Sequence, residues 1–337
     1  MRCSLLSLSQ RPLVRPPVLR LLLLAVFASV GPAAAQVPAN AAREAGTAAD
    51  IGRRLRVDPN AADATGASEF APKLDGDEEY GVQRILYKRS NWEPWSYRSD
   101  MGGGYTSNVA LTPRNTEDDF FFQNSHMLGY TPQLGGGWFL RTAVGLQSFR
   151  YDQADLFDFD MLRGEIGPMY AFPRQGTAYD PLLGDLLLYA NYNYYRITEP
   201  WEWDDVGFDN HGLGVGAEKT YRITRGQKLI LGLGADLSIA ANRDEPRRHE
   251  YAAGASYVVD WTESLQTSLA YRFAWYDYDT FGREDANQIA SLNVEYKVTD
   301  WFRINASVSG IFNESNLGAF DYDAFNTGLS IAGVINW

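Results

Sequence analysis

The chain has 337 residues, 45% of them hydrophobic and 14% aromatic, with a formal charge of −12. So acidic a surface repels polyanions, and nucleic acid is excluded as a partner. The single cysteine, Cys3, excludes a disulfide framework and a cysteine-ligated zinc.

At the start of the chain, Arg2, Arg11, Arg15 and Arg20 lead into the apolar run "LLLLAVFASV" and then "GPAAAQ". This is the pattern of a secretory signal peptide over residues 1–35, with Ala33 and Ala35 as the small residues before the cut. The run is too short for a spanning helix. Cleavage would remove Cys3 and these arginines, leaving 26 basic residues against 42 acidic ones, a charge of −16. Residues 36–94 are dominated at first by Ala, Asp, Gly and Pro, a composition that cannot bury enough apolar surface to offset ordering. They read as a flexible periplasmic leader or, alternatively, as a lumen plug with "YGVQRILYKRSNW" as its stickiest part.

From residue 95 onward no stretch holds a period of 3.6, whereas alternation of period two recurs throughout. In chain order the alternating segments are 95–111, 119–132, 137–151, 157–172, 185–198, 208–222, 227–241, 248–261, 263–277, 286–299, 301–313 and 322–337. In "KLILGLGADLSIA", Leu229, Leu231, Leu233, Leu237 and Ile239 fall on one face and Gly232, Gly234, Asp236 and Ser238 on the other. His126 and Pro168 fall on the apolar parity of the second and fourth segments, which predicts a bulge or register shift in each.

Tight connections ("TRGQ", "DWTE", "TDW", "LGGG") alternate with longer, mostly acidic ones ("TPRNTEDD", "EPWEWDD", "NRDEPRR", "DTFGRED", "NESNLGAFD"). Only "PRQGTAYDPLLG" is long on the tight side. Trp138, Tyr221, Trp261, Trp301, Phe302 and Trp337 gather near the tight turns. Phe149, Tyr151, Tyr194, Trp275, Tyr278 and Phe312 gather near the long loops, giving two aromatic belts around an apolar band. The fold class expected is all-β, an antiparallel up-and-down transmembrane β-barrel of about twelve strands, spanning residues 95–337.

The final strand places Leu329, Ile331, Ile335 and Trp337 on one parity and ends on an aromatic residue. It resembles the C-terminal assembly signal of bacterial outer-membrane β-barrels, and Gly333 departs from the pattern mildly. "GGGYTSNVALTPRNTEDDFFFQ" further resembles the opening strand and loop of β-barrel porin families. The resemblance implies the bacterial outer membrane, periplasmic chain ends, assembly by the barrel-assembly machinery, contact with lipid and lipopolysaccharide, and a passive pore.

Parity assigns the interior. Small residues such as Gly102, Gly104, Gly212, Gly214, Gly216, Gly232, Gly234 and Gly328 face inward, so their own side chains do not fill the lumen. The larger inward groups include Arg141, Arg163, Glu165, Asn191, Asn193, Glu218, Asp236, Arg272, Glu295, Lys297 and Arg303. Of these, Arg163, Glu165, Asn191, Asn193, Asp236 and Arg272 are the pore-lining candidates. Both signs of charge fit either a salt-bridge network or a wetted constriction. The expected function is a porin-like channel for ions or small polar solutes, with no cofactor, no metal and no catalytic residue. One alternative is an adhesive or structural barrel whose loop residues Trp201, Trp203, Asp204 and Asp205 bind a partner. A hydrolase is disfavoured because His126, His211 and His249 are the only histidines and none begins a His-x-Ser pair.

Overall fold

The computed structural model describes residue 43 and residues 93–172, 185–202 and 206–337. The strands are β1 (Trp95–Thr106), β2 (Asp119–Tyr130), β3 (Gln133–Gly135), β4 (Trp138–Tyr151), β5 (Phe159–Ala171), β6 (Leu186–Thr198) and β7 (Val206–Thr224). There follow β8 (Gln227–Ala241), β9 (Arg248–Asp260), β10 (Leu265–Tyr278), β11 (Glu284–Lys297), β12 (Phe302–Ser315) and β13 (Tyr322–Asn336). Each long strand pairs antiparallel with its chain neighbour, β13 pairs with β1, and β2 pairs with β4. The result is a closed ring of twelve strands, with β3 a short spur on β4. Closure leaves no unpaired edge, the condition for spanning hydrocarbon with strands.

The surface is inverted relative to a protein folded around an apolar core. Leu233, Leu269 and Leu329 are 65%, 59% and 63% exposed on the outer face, while Asp100, Ser125, Gln147 and Asn287 on the inner face are buried. An apolar exterior of this extent is a lipid-facing surface. Around the tight-turn end, Trp138, Trp261, Trp301 and Trp337 are all exposed, as an interfacial belt requires.

The last residue sits at the seam. Trp95 and Trp337 exchange backbone hydrogen bonds, each N–H donating to the other's carbonyl at 3.1 Å. Their rings stack at 6.2 Å with only 7° between planes. The register then places Tyr97 opposite Ile335, Met101 opposite Ile331 and Gly103 opposite Leu329. Leu329, Ile331, Ile335 and Trp337 thus lie on the outward face of the strand that closes the ring.

Three sequence expectations are corrected. Neither β2 nor β5 contains the expected bulge or shift. β2 pairs in unbroken register with β1 and β4, and His126 simply faces outward, where Nδ1 lies 2.9 Å from the Tyr97 hydroxyl. β5 keeps one register with β6 on both sides of Gly167 and Pro168, where pairing lapses. Pro168 has no N–H to give, yet its register with β4 continues. Second, β1 ends at Thr106 rather than at residue 111. Third, Phe149 and Tyr278 do not belong to an outer belt; they point inward and are 2% and 3% exposed. Tyr151 shares their inward orientation, packing with the inward Phe121. The long connection at 173–184, the signal-peptide segment and the leader lie outside the described residues, Arg43, Glu93 and Pro94 excepted.

Candidate functional site

The lumen divides into two zones along its length. At middle depth a polar chain crosses β4 to β8. Arg141 pairs with Glu165 at 2.7 Å, and Asn191 donates to the other Glu165 oxygen at 3.4 Å and also to Asn193. Asn193 in turn donates to Asp236. This chain steps over β7 because Gly214 has no side chain. A Cβ there would come within 2.6 Å of Asn191 Oδ1 and 2.8 Å of both Asn193 Nδ2 and Asp236 Oδ1. One strand position nearer the tight turns the device recurs: a Cβ on Gly216 would meet the Tyr189 hydroxyl at 2.3 Å. Gly214 and Gly216 are therefore covered by long side chains laid flat from β6.

Five of the pore-lining candidates thus stand on this side of the wall: Arg163, Glu165, Asn191, Asn193 and Asp236, with Asp236 exposed to the lumen. Arg163 projects inward from β5 beside Gly145, whose absent Cβ would lie 3.0 Å from Arg163 Nε. Arg272 belongs to a second group on β9 and β10. It pairs with Glu250 and donates to the Tyr276 hydroxyl at 3.2 Å. Glu250 also receives Arg248 at 3.6 Å. The Arg248 guanidinium lies 3.4 Å from the Tyr276 ring centroid, and Arg283 lies 4.1 Å from Tyr278 and 3.7 Å from Phe320. These are cation–π geometries in a buried setting. Of this stack, alternation puts Glu250, Arg272 and Tyr276 on the inward parity, whereas Tyr278 is expected in the outer belt. Arg248 lies at the end of a loop-like charged run, and only the even parity it shares with Glu250 and Gly254 marks it as inward.

Toward the long-loop end the lumen becomes apolar. Phe149, Phe159, Met161, Ile197 and Phe208 project inward from β4 to β7 as one buried cluster. Across the ring, Ile289, Ile311, Tyr322 and Ala324 form another. The connection after β1 joins them. Val109 and Ala110 pack on Phe157, with Tyr151 touching both this group and the first cluster. Leu111 touches this group and the second cluster. The fold of this connection is set by Asn108, which is 1% exposed. Its Nδ2 donates to the carbonyls of Thr112 and Asp323 at 2.9 and 3.0 Å, and its Oδ1 accepts from Thr112 N at 3.1 Å. Leu111 adopts φ +51° to follow, a conformation costly for a branched side chain. Side-chain hydrogen bonding thus ends β1 and turns residues 108–111 inward, where alternation alone predicts more strand.

At the long-loop rim, Trp201 is 81% exposed, with its N–H on Asp160 at 3.0 Å and its ring 5.8 Å from the Arg150 guanidinium. Trp203, Asp204 and Asp205 lie outside the described residues. His211 faces outward onto the Tyr192 hydroxyl, and His249 lies 3.8 Å from Asp279. Among the connections, burial raises the Asp158 carboxyl above its usual range, and the hydrogen bond from Lys297 lowers that of Asp300.

A closed antiparallel ring with an apolar belt outside and a charged, amide-rich lumen defines an outer-membrane β-barrel. The family described as TonB dependent receptor-like, beta-barrel matches residues 73–333, and the chain belongs to that family. No curated protein matches the sequence. Among solved structures, an outer membrane channel from Pseudomonas putida F1 aligns at a TM-score of 0.48 and 11% identity, covering 72% of this chain and 96% of that one. The translocator domain of the autotransporter NalP from Neisseria meningitidis aligns at 0.42 and 13%, covering 86% and 97%. Outer membrane phospholipase A from Escherichia coli aligns at 0.43 and 11%, covering 70% and 92%. A fold does not fix an activity, so function is read from the lumen itself.

Proposed function

We propose that this barrel is a channel of the bacterial outer membrane for ions or small polar solutes, oriented with its long loops outside and its tight turns in the periplasm. The observation that carries the reading is the polar chain from Arg141 to Asp236, which lines mid-depth with Asp236 open to the lumen. Asp236 and its register partner Glu250 on the adjacent strand β9, with Arg272 and Arg248 around Glu250, place charges of both signs along one stretch of wall, a field of the kind that sorts permeating ions. The apolar contact through Val109–Leu111 narrows the outer mouth, so the conducting path is short and polar. Lipid and lipopolysaccharide surround the belt, and the closing strand ending in Trp337 is the segment offered to the barrel-assembly machinery.

The experiment is the reversal potential across a planar bilayer under a salt gradient. A unit charge about 4 Å from a passing ion contributes about 1 kcal/mol in water. Asp236→Lys reverses that charge and shifts selectivity toward anions by severalfold. An unchanged reversal potential would remove Asp236 from the conducting path. A second reading is favoured by one feature only, the exposed, backbone-anchored Trp201 at the rim, which suits a loop that binds a partner face.

A further inference from the structure

Arg43 is the single described residue ahead of Glu93, and its contacts place it inside the barrel. Its Nη1 donates to the Pro246 carbonyl at 3.0 Å, and its guanidinium carbon stands 5.0 Å from the Tyr195 ring centroid. Tyr195 projects inward from β6 on the parity of Asn191 and Asn193, with its ring against Phe208 at 5.6 Å. Pro246 belongs to the connection between β8 and β9 and is fully buried. Both contacts are at the long-loop end, whereas the wall begins at the opposite end with Trp95.

The two contacts are the two that a guanidinium makes well: a ring face for the delocalised cation and a carbonyl in the plane of its N–H groups. The carbonyl of the buried Pro246 and a tyrosine packed on Phe208 form a receptor whose geometry does not depend on the ligand.

We propose that Tyr195 and Pro246 form an internal docking site for a guanidinium, occupied by the chain's own Arg43. The site ties the part of the chain ahead of the wall to the long-loop end of the lumen. In the intact protein the occupant is supplied in cis, so no external ligand is needed to fill it.

The test uses the full chain in isolated outer membranes. With Cys3→Ser as background, Ala42→Cys is combined with Ala241→Cys, a wall position packed on the same cluster as Tyr195, and a short bismaleimide is added. Folding of each variant is checked by heat-dependent gel mobility. With Arg43 intact, an internal crosslink forms and alters the mobility of the denatured protein. Arg43→Ala reduces its yield severalfold, and Arg43→Lys restores only part. Absence of the crosslink in the folded parent, or equal yields with Arg43→Ala, would overturn the proposal. Crosslinking needs no current, so a silent barrel that crosslinks retains the site and loses the channel, while a conducting one that does not crosslink loses the site.

Discussion

Single residues settle two questions of construction. Trp337 completes the seam, trading hydrogen bonds and a ring stack with Trp95. Trp337→Ala removes an aromatic pair worth about 0.5–1.5 kcal/mol, and the expected result is slower barrel assembly together with an earlier thermal midpoint by heat-dependent gel mobility. Gly214 is needed for the opposite reason, since any side chain there collides with Asn191, Asn193 and Asp236 at once. Gly214→Ala overpacks this junction, and a loss of about 1–3 kcal/mol is expected from denaturant unfolding. Gly232, where an added Cβ meets nothing within 4 Å, is the control, and Gly232→Ala leaves stability nearly unchanged.

The connection after β1 is the element that alternation misreads. The pattern of Asn108, Val109, Ala110 and Leu111 continues the strand on paper, but Asn108 has a better use for its amide in bonding Thr112 and Asp323. The turn that results carries Leu111 across to Ile289 and Tyr322. Leu111→Ser breaks that crossing, so single-channel currents are expected to rise while the ring, which depends on strand pairing, keeps its gel mobility. Unaltered currents would show that the apolar contact does not narrow the path. The inward aromatics are a different kind of miss. Rings at strand ends mark an interfacial belt or an interior cluster at the same height, and only parity separates them. Phe149 shares parity with Arg141 and Gln147, so its inward direction was legible in the sequence, whereas the contacts it makes with Phe159 and Phe208 depend on which strands become neighbours.

Over the whole molecule, strand number, closure and the sense of the two faces were legible because a barrel in lipid writes one simple rule into every strand: apolar outward, polar or small inward. The site was legible less completely. Parity identified the inward charges, but not that Asn191 and Asn193 would lie across Gly214, nor that Arg248, Tyr276 and Arg283 would stack. Those depend on side-chain directions that no alternation encodes. The same rule predicts asymmetric tolerance to charge. Leu233→Arg places a guanidinium on the lipid face near mid-strand and is expected to cost about 2–4 kcal/mol in a folding titration. A charge introduced at the inward Gly232, where a side chain meets open space, costs far less.

The central claim is that the lumen conducts, and single-channel recording of the full chain in a planar bilayer tests it most directly. The account predicts discrete, steady openings whose ion preference shifts toward anions with Asp236→Lys. Electrical silence from protein proven folded by its heat-dependent gel mobility would contradict it.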